Sequence, residues 1–490
     1  MFVTLLIAST IVLLCIFSSK FTYRLGVPAL LIFLVLGMLL GSDGVGIEFD
    51  DFQIAESVAL FALAILIFYG GLGTRWATAK PMVVKASLLS SLGTIMTAII
   101  AGLFCTLILK VDILYGLLFG AVIGSTDAAS VFSILRSRKL NLKHGLAPLL
   151  EVESGSNDPF AHILTISLIF AIDIRTSGGS FLPLLWIIPL QLVVAIVVSA
   201  SMAVVAVFLL KRVRLHMEGF YPILLLAIAV FSYAACSALQ GNGLLCVYIL
   251  GIVIGNSKIL HKVSMVRFFD AISWLMQIML FFVLGLLSFP SKMLPMMLPG
   301  FLISLIIIFV ARPVAVFSIL SWFKVPIKQQ LFTAWVGYRG AASIVFAIIA
   351  VSALGNSLPY DLFHLVFFVA LFSVLFQGTL TPLLSKKLKL VDSEDNNTVL
   401  KTFTDYFEES HKGLYEHKLS TGNTLIGKCI VDANIPENLL IIMIKRGDEV
   451  LVPKGSTEFA ENDILMVSGE DFSFFSNSDV EAIDEPANKS

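Results

Sequence analysis

Residues 151–162 read EVESGSNDPFAH, and place three acidic side chains, Glu151, Glu153 and Asp158, in a stretch otherwise apolar enough to span a membrane. On a helix, Glu151, Ser154 and Asp158 share one face at i, i+3 and i+7, and Glu153 and Asn157 share the neighbouring face at i and i+4. Oxygen ligands therefore converge. Pro159 has no N–H and its ring opposes the carbonyl of Gly155, so the helix is expected to loosen there and free a main-chain oxygen for a cation. Ionisable groups within spans default to functional sites; the alternative is a pair of satisfied buried acids that joins two helices.

The surrounding chain supports a membrane setting. Of its 490 residues 58% are hydrophobic and 14% charged, with a mean hydropathy of +0.94, far too apolar for a soluble globular protein. Cys15, Cys105, Cys236 and Cys246 fall in or beside apolar runs and Cys429 stands alone in the tail, so the cysteines pack and form no disulfide framework. The first nineteen residues lack a basic start and an A-x-A cleavage site, and read as a first span rather than a cleaved signal.

Taking about 20 apolar residues per crossing, thirteen spans are expected near 1–19, 25–41, 55–73, 83–109, 113–135, 145–172, 182–210, 221–239, 243–257, 268–288, 298–322, 329–353 and 361–385. Alternate loops carry nearly all the Lys and Arg between these spans, for example Arg136, Arg138, Lys139 and Lys143, or Lys386, Lys387 and Lys389; the other loops hold only Lys110, Arg175 and Lys292. Because basic loops stay on the cytoplasmic side, the pattern predicts an outside N-terminus, an odd span number and a cytoplasmic tail. After Lys389 the polar VDSEDNN reads as a linker and Thr398 to Glu409 as a short helix. Segments at Asn438 to Ile444, Val450 to Pro453 and Asp463 to Val467 read as strands. The resulting domains are 1–390 for the membrane region, 391–414 for the linker and short helix, 415–470 for a small α+β unit and 471–490 for a disordered acidic tail.

Two further motifs belong with the opening stretch. GSTDAAS at Gly124 to Ser130 and GYRGAAS at Gly337 to Ser343 share a glycine, two variable residues and Ala-Ala-Ser, on spans of opposite direction. Inverted-repeat transporters place one discontinuous helix from each half at the midplane, where helix ends and free carbonyls bind ions. Asp127 would then balance the positive end of one half-helix and Arg339 the negative end of another. A buried arginine costs about 2.5–3.5 kcal/mol on insertion scales, so Arg312 needs a carboxylate, and Glu153 is the candidate. Asp158 is left to alternate between a proton and a cation, and a site that holds either but not both couples their movements. His162, four residues on, tunes that response or simply lines a polar surface; Glu151 belongs to a cytoplasmic funnel or to the interface.

These motifs, with STD at Ser125 to Asp127, ESGSND at Glu153 to Asp158 and the arginine of ARP at Arg312, resemble the NhaP-type branch of the monovalent cation/proton antiporter superfamily over nearly the whole membrane region. The resemblance implies an all-α polytopic fold of thirteen helices with two broken, crossing helices, a dimerisation domain and a moving core, and electroneutral exchange of one cation for one proton by an elevator movement. It implies Asp158 as the ion- and proton-binding carboxylate, Ser154 and the Thr126 backbone as ion ligands, Asn157 and Asp127 as support, a Glu153–Arg312 ion pair, and Arg339 at the second break. Tyr338 departs from the leucine common in such exchangers.

The segment from about Tyr415 to Gly469 resembles the TrkA C-terminal domain found on potassium channels and transporters, without the nucleotide-binding half that often precedes it. That implies a homodimer and a small regulator, with cyclic di-AMP as a hypothesis; a purely structural tail is the alternative. The expected protein is thus a K⁺/H⁺ antiporter of a bacterial inner membrane, with Na⁺ as a further substrate, lipid around it, and no cofactor, enzymatic activity or nucleic-acid partner. Alternatives are a Na⁺/H⁺ antiporter, a cation channel gated by the tail, and an intramembrane aspartyl protease using Asp127 and Asp158, for which GSTD lacks the GxGD pattern. No G-x-x-x-x-G-K-[ST] loop supports a primary pump.

Overall fold

The computed structural model describes residues 9–10, 12–17, 29–47, 49, 51–138, 140–213, 215, 217–259, 261–391, 414–419, 425–433, 435, 439–447, 449–469 and 480–482. The chain forms two units, residues 1–403 and 404–490. Among the described residues of the first unit, eight helices are long and apolar enough to cross a membrane, and Ile113–Val122, Gly243–Gly255 and Ala341–Leu354 are shorter apolar helices. They fall on the expected spans. The first expected span lies partly outside the described residues; 12–17 are helical.

Polar residues set the helix starts. Asp51 accepts hydrogen bonds from the N–H groups of Gln53 and Ile54, Asp112 from Leu114, Asn242 from Leu245 and Asp361 from His364. Each satisfies a donor that the first helical turn leaves open. Between helices, close backbone approach replaces the hydrophobic effect as the source of packing. A side chain on Gly251 would come within 2.4 Å of the Phe68 carbonyl oxygen, and one on Gly120 within 2.1 Å of the Ala98 carbonyl oxygen. Faces turned away are apolar and exposed, as at Val193, Ile196, Val204 and Phe208 of the Leu184–Arg212 helix.

At Pro159 the chain stays helical, as the single expected span requires. Leu146–Ser177 is a single 32-residue helix that runs through the proline. A neighbouring helix start meets the main chain here: Asn242 Nδ2 donates to the Pro159 carbonyl at 3.1 Å, one turn beyond the Gly155 carbonyl whose helical partner the proline removes. The breaks lie, as expected, in the two spans that carry the AAS motifs. The expected fifth span is divided into Ile113–Val122 and Ala128–Ser137, and the expected twelfth into Ile327–Trp335 and Ala341–Leu354. The span before each broken helix carries a π-helical turn, Leu89–Gly93 in one and Ile307–Ala311 in the other. This pairing extends the repeat suggested by the two AAS motifs.

In the second unit β1 (Leu414–Lys418), β2 (Leu439–Arg446), β3 (Glu449–Leu451), β4 (Ile464–Gly469) and β5 (Val480–Ala482) form one antiparallel sheet in the order β3-β2-β4-β1-β5. Alternate residues of β2, Leu439 and Ile441, join Leu419, Leu425, Phe459, Leu465 and Val467 in its core, as a two-residue strand period requires. β2 to β4 coincide with the three expected strands. β5 falls within the stretch expected to be disordered: main-chain pairing on the free edge of β1 needs little apolar sequence. The helix expected at Thr398 to Glu409 lies outside the described residues.

Candidate functional site

The site is built where the two broken helices cross. After Val122 the chain makes a turn and is non-helical through Ser125 to Asp127; the second helix opens over Gly337 to Gly340. The N–H of Asp127 donates to the carbonyl of Tyr338 at 2.8 Å, joining one break to the other. Arg339, 1% exposed, extends Nη1 to the carbonyls of Gly124 at 2.9 Å and Ser125 at 2.7 Å. Its positive charge thus meets the free carbonyl end of the opposite broken helix. Asp127 does the reverse at the amino end of its own half-helix, accepting from the Ser130 N–H at 3.2 Å and the Ser130 hydroxyl at 2.6 Å.

The Leu146–Ser177 helix lies against this crossing and inserts side chains into the first break. Ser154 Oγ accepts the N–H of Ala128 and donates to the Thr126 carbonyl, both at 2.9 Å. Asn157 Nδ2 donates to the Thr126 hydroxyl, and the Ser125 hydroxyl donates to Asp158 Oδ1. Three helical positions at i, i+3 and i+4 therefore take up the polar groups that the break releases. On the other side Glu153 Oε1 meets Arg312 Nη2 at 2.6 Å, with the two residues 1% and 2% exposed. The π-turn ends at Ala311, and the α-helix resumes over Arg312–Leu320 with Pro313, which has no N–H to donate, in its first turn.

All eight expected site residues thus belong to this assembly, in two clusters. Ser154, Asn157, Asp158, Thr126, Asp127 and Arg339 surround the breaks, and Glu153 with Arg312 forms the buried pair. The Thr126 carbonyl is engaged by Ser154, and Asp158 accepts a hydroxyl. Glu151 is exposed, while His162 turns to Asn242, Nδ1 to Nδ2 3.2 Å. Sequence reasoning missed the roles of Ser125 and Ser130, although both lie in the quoted GSTDAAS, because the direction of a side chain at a break has no periodicity to reveal it. Among the described residues no three His, Cys, Asp or Glu side chains gather as a metal-binding group. A cation here would draw on one carboxylate together with hydroxyl and main-chain oxygens, a hard-oxygen set for a singly charged ion.

Residues 8–387 match the sequence family described as sodium/hydrogen exchanger, transmembrane. The chain belongs to the sodium/hydrogen exchanger family. Residues 414–471 of the exchanger match the TrkA-C domain. The exchanger is 34% identical over 471 residues to the K(+)/H(+) antiporter NhaP2 of Shewanella baltica (strain OS223), covering 95% of this chain and 81% of that protein. It is 32% identical over 470 residues to the K(+)/H(+) antiporter NhaP of Alkalimonas amylolytica, covering 95% and 80%. Its fold is that of the sodium proton antiporter MjNhaP1 from Methanocaldococcus jannaschii, with a TM-score of 0.69 and 24% identity over 79% of this chain and 99% of that one. The exchanger is therefore a multi-pass membrane cation/proton antiporter, not an enzyme.

Proposed function

We propose that the exchanger moves K⁺ in one direction and H⁺ in the other, one for one, at Asp158. The observation that carries this reading is the contact of the Asp158 carboxylate with the Ser125 hydroxyl at the crossed breaks. When Asp158 is ionised, its charge and the oxygens of Ser125, Thr126 and Ser154 replace part of a cation's hydration shell. When a proton arrives, the carboxyl becomes neutral and the cation leaves. One carboxylate that carries either species makes the cycle electroneutral, because Asp127 caps its half-helix and Glu153 is paired with Arg312. Neither of those acids is needed as a second proton carrier.

Potassium is favoured by the names of the two bacterial relatives and by a TrkA-C tail; sodium, the cation in the name of the Methanocaldococcus jannaschii antiporter, is the second to test. The thirteen-span count, the outside N-terminus, the cytoplasmic tail and the bacterial inner membrane form one proposal with this function, resting on the alternation of loop charge. So do a homodimer, the elevator movement of the crossed helices and the division into a membrane domain at 1–390, a linker at 391–414, a regulatory domain at 415–470 and an acidic tail at 471–490. A small ligand at the TrkA-C domain, cyclic di-AMP among the candidates, would set the rate. Purified protein in liposomes with a trapped pH dye and a clamped membrane potential tests the substrate. Proton efflux on adding K⁺ with little on adding Na⁺ is expected; the opposite preference would overturn the potassium reading and leave the family intact.

A further inference from the structure

The last long helix, Leu362–Lys387, presents three buried polar side chains on one face, Ser373, Gln377 and Thr381, at i, i+4 and i+8. All three meet the second break. Gln377 Nε2 donates to the Trp335 carbonyl at 2.5 Å, at the end of the first half-helix, and its Oε1 accepts the Ser373 hydroxyl at 2.5 Å. Ser373 Oγ in turn accepts the main-chain N–H of Arg339 at 3.0 Å. The Trp335 indole donates to the Gln377 carbonyl at 3.2 Å, and the Tyr338 hydroxyl pairs with Thr381. Both polar atoms of the Gln377 side chain are thus engaged by the break or by the serine that holds it. Gln377 is 1% and Ser373 2% exposed.

We propose that Gln377 and Ser373 are positioning residues for exchange: they fix the main chain of Arg339, and Arg339 fixes the Asp158 site from behind. The connection is continuous. Ser373 sets the Arg339 backbone; the Arg339 guanidinium holds the Ser125 carbonyl at 2.7 Å; the Ser125 hydroxyl donates to Asp158. An amide is suited to this place because it offers a donor to the helix-end carbonyl and an acceptor to the serine at once. A carboxylate would lose the donor and put a negative charge against the negative helix end. The first break is held by Ser154 from the Leu146–Ser177 helix, and the second by this pair, so each broken helix has its own clamp on a continuous neighbour.

The clamp rests on Asp158 being the exchanging carboxylate, and the test separates the two. Exchange is measured in proteoliposomes against cation concentration and pH for wild type, Asp158→Asn, Ser373→Ala, Ser373→Thr, Gln377→Leu and Gln377→Glu, with the thermal midpoint recorded for each. Loss of a buried hydrogen bond that aligns a binding group is expected to raise the half-saturating cation concentration about tenfold in Ser373→Ala and Gln377→Leu, with a displaced pH profile. Ser373→Thr, which keeps the hydroxyl, restores both. Gln377→Glu behaves as Gln377→Leu or worse. If Asp158→Asn is inactive while Ser373→Ala and Gln377→Leu keep the wild-type half-saturation and pH profile, the clamp is refuted and the site stands. Equal impairment of Ser373→Thr and Ser373→Ala also refutes it, and normal exchange by Asp158→Asn refutes the reading on which it rests.

Discussion

Gly340 and Asp127 touch across the crossed breaks so closely that a side chain on the glycine would lie 2.4 Å from Asp127 Cβ and 2.5 Å from its Oδ2. Gly340 has an ordinary extended backbone, φ −121°, so this glycine is required for space rather than for conformation. Gly340→Ala must push Asp127 off the Ser130 N–H it caps. We expect exchange to fall at least about tenfold, since small displacements of positioned groups can cost about a hundredfold, while helix content is kept. Transport rate and circular dichroism of the purified variant check it.

Arg312 and Glu153 predict a different outcome. Breaking a buried pair by removing one partner strands a charge and costs about 3–5 kcal/mol, whereas removing both does not. Arg312→Ala is expected to lower the thermal midpoint in detergent sharply, and Arg312→Met combined with Glu153→Leu to recover most of it. A variant lacking only Arg312 that melts as wild type does would contradict the pairing.

The C-terminal unit carries its own pH dependence. Burial disfavours the charged form of Asp463, but the Arg446 hydrogen bonds at 2.7 and 2.8 Å, the Ala460 N–H and the Arg446 charge outweigh it, so its carboxyl stays below the ordinary carboxylate range. A lowered folded-state pKa means that stability is present above the unfolded value of about 3.9 and is lost as pH falls through the folded one. Arg446→Ala should therefore make this unit of the full-length protein more protease-sensitive at pH 7, with the difference from wild type shrinking below pH ~4. A difference that persists unchanged at low pH would assign the effect to packing.

What the sequence revealed follows from the physics that each feature obeys. Hydropathy located the spans because lipid tolerates only apolar faces, and Glu153–Arg312 was legible because an arginine in a span demands a carboxylate. The Asn242 bond to the Pro159 carbonyl was not legible, because Asn242 lies 83 residues away. Ser373 and Gln377 were passed over within a hydrophobic run for the same reason. Their partners Trp335 and Arg339 become neighbours only after the second break is folded. In the tail, β1 and β5 lack the alternation that marked β2, since their pairing is carried by the main chain.

Removal of the chain after Leu390 tests whether the TrkA-C unit regulates or supports. Leu390 itself is to be retained, because its carbonyl accepts the Lys143 N–H at 2.9 Å. The truncated protein is expected to keep exchange with an altered activation profile, measured as rate against pH on each side of the membrane in turn. Complete loss in a well-folded truncation would make the unit structural.

The role of Asp158 is tested most directly by proton movement in proteoliposomes of purified Asp158→Asn beside wild type, driven by K⁺ and by Na⁺ with the membrane potential clamped. Asparagine keeps the shape and an acceptor for the Ser125 hydroxyl but can neither ionise nor release a proton. A folded protein with no cation-coupled proton flux is the expected result. Cation-dependent proton exchange at the wild-type rate would contradict it and place the exchanging group elsewhere in the membrane.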